Sequence, residues 1–161
     1  MVGYDDWFKA GANPFPCDDL RATNFRGGIS FDLSQFDTVA TAELLLDAQR
    51  SVERSNGEIA SAVPPRSFAT TLGVGTQPFS SFMPDTNQAS LPSSASLVVT
   101  VSGQVSDWVT KVAPNFGFVL GGPRGSFGSN PPKDNDAKVT WYGNVRLRLL
   151  YNPALNPRAP Q

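Results

Sequence analysis

The chain has 161 residues and a formal net charge of −1, a length that fits one domain with a substantial core. Because it contains no histidine and a single cysteine, Cys17, it can form neither a Ser-His-Asp nor a Cys-His catalytic arrangement, nor a disulfide within the chain. The sequence has no basic block and no apolar run of about 20 residues, which argues against nucleic-acid binding and against a membrane-spanning helix.

Glycine and proline interrupt the chain throughout, with fourteen of each. Such frequent turn residues disfavour long helices and favour short strands joined by turns. Residues 1–28 are turn-rich and carry few periodic signals. Apolar and polar side chains then alternate over residues 29–33, which predicts a half-buried strand. Further strands are predicted over residues 40–48, 68–74 and 97–101.

A tryptophan-bearing segment follows the last of these strands. Four apolar side chains recur there at helical spacing: Val105, Trp108, Val109 and Val112. This spacing predicts one short helix near residues 103–111, with Trp108 in the core. Pro114 and Asn115 are expected to end the helix, and the apolar run over residues 116–120 predicts another strand.

The last third of the chain begins with a glycine- and proline-rich loop over residues 121–136. Two strand-like runs follow, and Gly143-Asn144 between them predicts a β-hairpin of residues 139–142 with 144–151. The elements together predict an all-β fold, an antiparallel β-sandwich of jelly-roll type with about eight strands and one short helix. Residues 1–152 are expected to form this single module, and residues 153–161, with three prolines, a tail or linker.

Several short strings resemble one family of β-sandwich modules, the DNRLRE-type modules. The family's opening strands, "FDLS" and then "A-x-L-x-L", are similar to residues 27–34 and 40–44. Its helical turn, "PN(Y/F)G" corner and return strand are similar to Val105–Trp108–Val109 followed by residues 114–120. Its terminal strands are similar to residues 142–144 and 146–148. The resemblance covers about residues 25–152.

The resemblance implies a jelly-roll fold in a carbohydrate-binding-module-like accessory domain. Such modules accompany secreted or surface proteins, including polysaccharide-active enzymes, and some bind carbohydrate. An extracellular or surface location is therefore expected. The residues after Met1 have neither the basic nor the apolar region of a secretory signal peptide. The irregular first 24 residues and the loop over residues 121–136 depart from the family pattern.

Acidic residues are the remaining candidates for catalysis or metal binding. A glycosidase needs two carboxylates in a cleft, whereas the acidic pairs here lie in turn-rich sequence, so no enzyme activity is predicted. Asp134, Asn135 and Asp136 offer several oxygen ligands in one loop, which suits a structural calcium ion. The alternative is that these side chains only form turns. No other cofactor is predicted.

Aromatic and arginine side chains are the candidates for ligand binding. Sugars stack on exposed rings, and arginine can fix their hydroxyls. Trp141 and Tyr142 are adjacent, so on a strand they face opposite sides; core packing is the alternative role for either ring. Arg146 and Arg148 alternate with leucines and share one face, either as a ligand site or as a solvated surface. The candidate residues are Trp7, Phe8, Trp141, Tyr142, Arg146 and Arg148.

These observations predict a non-catalytic accessory binding module whose partner is a polysaccharide or other glycan. The alternative is a structural module of a fibre, tail or surface layer, which would make protein–protein contacts or self-assemble. Low charge and abundant Ser, Thr, Asn, Gly and Pro suit both functions.

Overall fold

The computed structural model describes residues 2–9, 19–54, 61–69, 71–75, 89–122 and 137–160; for residues 2–9, 19–26, 89–90 and 137 it describes the backbone alone. The elements in chain order are β1 (Val2–Lys9), β2 (Asp19–Ile29), β3 (Thr41–Arg54), β4 (Ser61–Val63), β5 (Thr71–Val74), β6 (Ala89–Ser90), β7 (Ser96–Thr100), α1 (Ser102–Val109), β8 (Phe118–Gly121), β9 (Ala137–Leu150) and a one-turn 3-10 helix (Pro153–Leu155).

The strands form two antiparallel sheets that share β2. In the first sheet β3 pairs with β9 on one side and with β7 and β4 on the other, and the sheet continues from β9 through β1 to β2. The last residues of β2 pair with β8, which begins the second sheet of β8, β5 and β6. The predicted all-β class is therefore confirmed, with nine strands in the described part of the chain. The jelly-roll connection stays a prediction.

The core lies between these sheets. Ala42, Leu44 and Leu46 of β3 are fully buried at every second position, as a strand with one inward face requires. The helix α1 contributes Trp108, which is 6% exposed and packs against Phe118 of β8 with ring centroids 4.7 Å apart. The predicted burial of this indole is confirmed.

The helix ends earlier than its apolar spacing suggests. It stops at Val109, and Lys111 takes a left-handed backbone with φ 61°. The chain direction therefore changes before Val112, which is 76% exposed instead of continuing the buried face.

The predicted hairpin around Gly143-Asn144 is wrong, because β9 is one continuous strand. Both halves of β9 pair with the same partner, β3. Between Leu45 and Asp47 of β3 the register shifts by one residue, and Asn144 has φ 51° there, so the turn signal forms a β-bulge. The apolar and polar positions exchange phase at a bulge as they do at a turn.

A second bulge, on β3, cancels the first. The register shifts back between Ala48 and Arg50, which leaves Gln49 as the extra residue. A Cβ atom on Gly143 would clash with the side-chain amide of Gln49, so the two irregular positions are in contact. Each bulge keeps the inward face of its own strand on the core, and the two together bring the pairing back into register.

Two predicted strand regions lie partly outside the sheets. Residues 30–33 keep alternating burial but pair with no strand in the described part of the chain, and β2 ends at Ile29. Of the strand predicted over residues 68–74, residues 68 and 69 precede β5 and belong to a segment, residues 66–69, that is held by buried hydroxyls. Ser51 Oγ donates to the carbonyl of Arg66 at 2.6 Å, and Thr140 Oγ1 accepts the backbone N–H of Phe68 at 2.9 Å. Side chains thus replace the ladder hydrogen bonds there.

The predicted tail, residues 153–161, packs against the sandwich over its described residues 153–160. Asn156 is 2% exposed, and Ala159 belongs to the core cluster. The Tyr151 hydroxyl donates to the carbonyl of Pro160, and Arg158 pairs with Asp37. This segment is therefore an integral part of the fold.

Candidate functional site

The outward side of β3, β7 and β9, which we term the β3–β9 face, gathers three of the residues singled out from the sequence. The pairing places Arg148 opposite Glu43 and Arg146 opposite Leu45, with Val98 of β7 on the far side of Leu45. Leu147 and Leu149 point the other way, towards the core. The prediction that both arginines share one face is confirmed.

Each of these arginines is held by a carboxylate of β3. Arg146 Nη2 lies 2.9 Å from Asp47 Oδ2, and Arg148 Nε donates to Glu43 Oε2 at 2.6 Å. The arginine side chains are nevertheless 60% and 62% exposed. Exposed ion pairs contribute little to stability, typically below about 1 kcal/mol. Their main effect here is to fix guanidinium and carboxylate groups while leaving them open to solvent.

A tryptophan lies at the other end of the same face. Trp141 pairs with Arg50, and the guanidinium of Arg50 lies 5.0 Å from the centre of the indole ring. The ring is only partly buried. Because the bulge on β9 lies between them, Trp141 and Arg146 point to the same side of the sheet although they are five positions apart. The face therefore combines a partly exposed indole, with Arg50 over its ring, and two charged pairs.

Tyr142 faces the opposite side, as the adjacency of the two aromatics predicts. Its ring packs on the core, and its hydroxyl hydrogen-bonds to Ser67 Oγ and accepts the backbone N–H of Ala69 at 3.4 Å. Burial raises the pKa of the Tyr142 hydroxyl, and the hydrogen bonds with Ser67 and Ala69 partly offset this. The side chains of Tyr142 and Trp141 thus lie on opposite faces of the sheet.

The other candidate residues fall outside what the structure describes. Trp7 and Phe8 lie on β1, where the backbone alone is described. Asp134, Asn135 and Asp136 lie outside the described residues. No group of three or more cysteine, aspartate or glutamate residues that could hold a metal occurs among the side chains described. The helices of the described regions are all too short or too polar to cross a membrane.

Three members of the β3–β9 face were not identified from the sequence: Glu43, Asp47 and Arg50. The first two alternate with Leu44 and Leu46, a signal that places both carboxylates on one side of β3. No local pattern shows that these carboxylates pair with arginines about 100 positions later, because that pairing depends on the order of the strands in the sheet. Arg50 reaches this face only through the bulge at Gln49.

Comparisons with known proteins produced no match, whether to a family model, to a curated protein or to a solved structure.

Proposed function

We propose that this protein is a non-catalytic accessory module of a secreted or surface protein, and that its β3–β9 face binds a carbohydrate chain. The observation that carries the proposal is the alignment of the Trp141 indole with the Arg146–Asp47 and Arg148–Glu43 pairs on one open sheet face. The groups lie along the strand direction, which suits an extended chain of sugar units.

The chemistry of the face matches that of sugars. The apolar C–H side of a sugar ring packs on an indole, while its hydroxyls donate to carboxylate oxygens and accept from guanidinium N–H groups. Among the charged groups described above, three arginines (Arg50, Arg146, Arg148) stand against two carboxylates (Glu43, Asp47), an excess of one positive charge. A neutral or anionic polysaccharide fits this balance better than a cationic one.

A catalytic role for the same face has little support. Glu43 and Asp47 are each held in an ion pair with an arginine, an arrangement that suits the binding of polar groups. The chain also contains no histidine that could transfer a proton at neutral pH. Binding without turnover is therefore the activity proposed.

An assembly module is the second candidate, favoured by apolar side chains on the same surface. Val98 and Leu150 are 58% and 63% exposed, and Val98 lies on β7, whose only strand partner in the described regions is β3. Exposed apolar groups on an edge strand favour contacts with another protein.

Affinity electrophoresis in gels that contain xylan, soluble cellulose derivatives, polygalacturonate or alginate tests the proposal. We expect retardation by at least one polymer, lost in Trp141→Ala and weakened in Arg148→Ala. Arg158→Ala is the matched control, because Arg158 is 60% exposed and also paired with an aspartate but lies off this face. Melting curves verify that each variant is folded.

Two outcomes contradict glycan binding on this face. One is the absence of retardation in every gel; the other is an equal loss in Arg148→Ala and Arg158→Ala. Light scattering over a concentration series then tests assembly. A concentration-dependent oligomer that Val98→Arg dissociates would support the second candidate.

A further inference from the structure

A pocket of about 390 Å³ lies between the ends of β3 and β9 and the segment of residues 66–69 that packs over them. We term it the Lys138 pocket. Pockets of this size are at the small end of those that bind small molecules. The described side chains in its lining include three charged ones and three apolar ones: Glu53, Arg66 and Lys138, and Phe68, Ala69 and Leu91.

The strands that form this pocket depart from the apolar pattern of the core. Along the inward side of β3, buried alanines and leucines are followed by Ser51 and then by Glu53. The residues opposite them on β9 are Thr140 and Lys138. Inward positions lie two residues apart, so Glu53 and Lys138 both point to the core side of the sheet. Charged groups at such positions are unfavourable for packing and concentrate at functional sites.

One carboxylate holds two cations in the pocket. Arg66 pairs with Glu53 Oε2, and Lys138 Nζ lies 3.4 Å from Glu53 Oε1. The guanidinium of Arg66 also lies 4.9 Å from the centre of the Phe68 ring. The side chains of Arg66 and Lys138 are nevertheless 43% and 37% exposed. The cluster therefore fixes the positions of both cations and leaves part of each open to a ligand.

The charges in the lining do not cancel. Arg66 and Lys138 stand against Glu53 alone, an excess of one positive charge among the described side chains of the pocket. A ligand with one negative charge would balance this excess. A phosphate group carries more charge than the excess and would be repelled by Glu53, and a cation would be repelled by both basic groups.

The remaining wall favours an apolar ligand body. Phe68 and Ala69 are buried beneath the pocket, and Leu91 is partly buried beside them. The lining hydroxyls are already engaged within the protein, since Ser93 Oγ donates to the carbonyl of Ser67 at 3.2 Å and Ser67 Oγ hydrogen-bonds to Tyr142. A sugar ring would therefore find few polar partners beyond the charged cluster.

We infer that the Lys138 pocket binds a small monocarboxylate with an apolar body, such as an aromatic or branched aliphatic acid. The carboxylate would accept charge-assisted hydrogen bonds from Lys138 and Arg66. The body would pack on Phe68 and Leu91. This site differs from the β3–β9 face in ligand class and lies on the opposite side of the sheet. The two proposals are therefore tested by different ligands, and the failure of one leaves the other standing.

Titration with benzoate and isovalerate, followed in ¹H–¹⁵N spectra at low ionic strength, tests the pocket. We expect saturable shifts with at least one acid, at dissociation constants in the millimolar range that is usual for ligands of this size. Benzamide and isovaleramide have the same bodies without the charge. They should bind about tenfold more weakly, because they lack the charge-assisted hydrogen bonds.

Two substitutions in the cluster should act in opposite directions. Lys138→Gln should weaken binding of the acid about tenfold, the change expected when one hydrogen bond to a charged group is lost. Glu53→Gln should strengthen binding about threefold, because both cations are released from their carboxylate. Lys111→Gln is the matched control, since Lys111 is an exposed lysine outside the pocket lining. A residue that acted only in folding would not raise affinity when replaced.

Melting curves verify that each variant is folded, and the comparison of the two lysine variants decides the question alone if Glu53→Gln does not fold. Four outcomes would overturn the inference: no saturable shift with either acid, equal binding of acid and amide, an equal effect of Lys138→Gln and Lys111→Gln, or weaker binding in a folded Glu53→Gln variant.

Discussion

The side-chain Oδ1 of Asn156 accepts the backbone N–H of Asp37 at 2.7 Å, across 119 positions of the chain. The same oxygen accepts the N–H of Thr38 at 2.9 Å, and Asn156 Nδ2 donates to the carbonyl of Asn152 at 2.8 Å. One buried amide therefore joins the C-terminal segment to the turn that precedes β3 and satisfies groups on both sides.

Replacing this amide should destabilise the fold strongly. We expect Asn156→Ala to lower the free energy of unfolding by about 2–4 kcal/mol, because two N–H groups lose their acceptor and buried unpaired groups cost about 1–3 kcal/mol each. Urea unfolding provides the measurement. Asn152→Ala, which removes an exposed cap on Ala154, is the control and should cost about 1 kcal/mol or less. Equal effects of the two changes would contradict this account.

The bulge on β9 predicts a different response at Asn144. This residue is exposed and has φ 51°, so substitutions there act through the backbone. Asn144→Val should cost about 1–2 kcal/mol, since a β-branched side chain clashes in the left-handed region, whereas Asn144→Gly should be nearly neutral. Thermal melting distinguishes them. A valine variant as stable as the glycine variant would mean that the backbone is not held in this conformation.

Tyr142 predicts a loss of stability in alkali. The pKa of Tyr142 is raised in the folded protein above the ordinary value of about 10, so the unfolded chain loses the hydroxyl proton at a lower pH than the folded protein does. The stabilisation is complete below pH 10 and falls as the pH rises through the folded pKa. Tyr142→Phe should abolish this alkaline decline while costing about 1 kcal/mol at neutral pH through the lost bond to Ser67. Urea unfolding over a pH series would show it, and an unchanged slope in Tyr142→Phe would refute the assignment.

The ion pairs of the β3–β9 face should contribute more to binding than to folding. Glu43→Gln leaves Arg148 without its charged partner, yet the exposure of the pair limits the loss of unfolding free energy to about 1 kcal/mol. Retention by a polysaccharide should fall more clearly, because the guanidinium loses its fixed position. Chemical unfolding and affinity electrophoresis of the same preparation provide both measurements. A large loss of stability would assign the pair to folding instead.

Much of the fold follows from local patterns in the sequence. The spacing of Val105, Trp108 and Val109 is sufficient to predict a buried helical face, and alternation on β9 places Leu147 and Leu149 inwards. The turn signal at Gly143-Asn144 does not distinguish a hairpin from a bulge, because both exchange the phase of alternation. Which of the two forms depends on whether the halves pair with each other or with β3, and that is a long-range property.

About as much of the candidate site as of the fold can be predicted from the sequence. Alternation predicts that Arg146 and Arg148 share a face, and adjacency predicts that Trp141 and Tyr142 do not. The partners of these residues come from β3, so only the strand order supplies Glu43, Asp47 and Arg50.

The extra residues Gln49 and Asn144 decide where this pair of strands can lose a residue. Each is the unpaired member of a bulge, so its loss alone would straighten that strand and leave every other side chain on its present side. Loss of a paired residue such as Leu147 would instead turn the rest of its strand over, bringing arginines or carboxylates into the core and leucines to the surface. Single deletions should therefore be tolerated at these two positions and harmful at their paired neighbours.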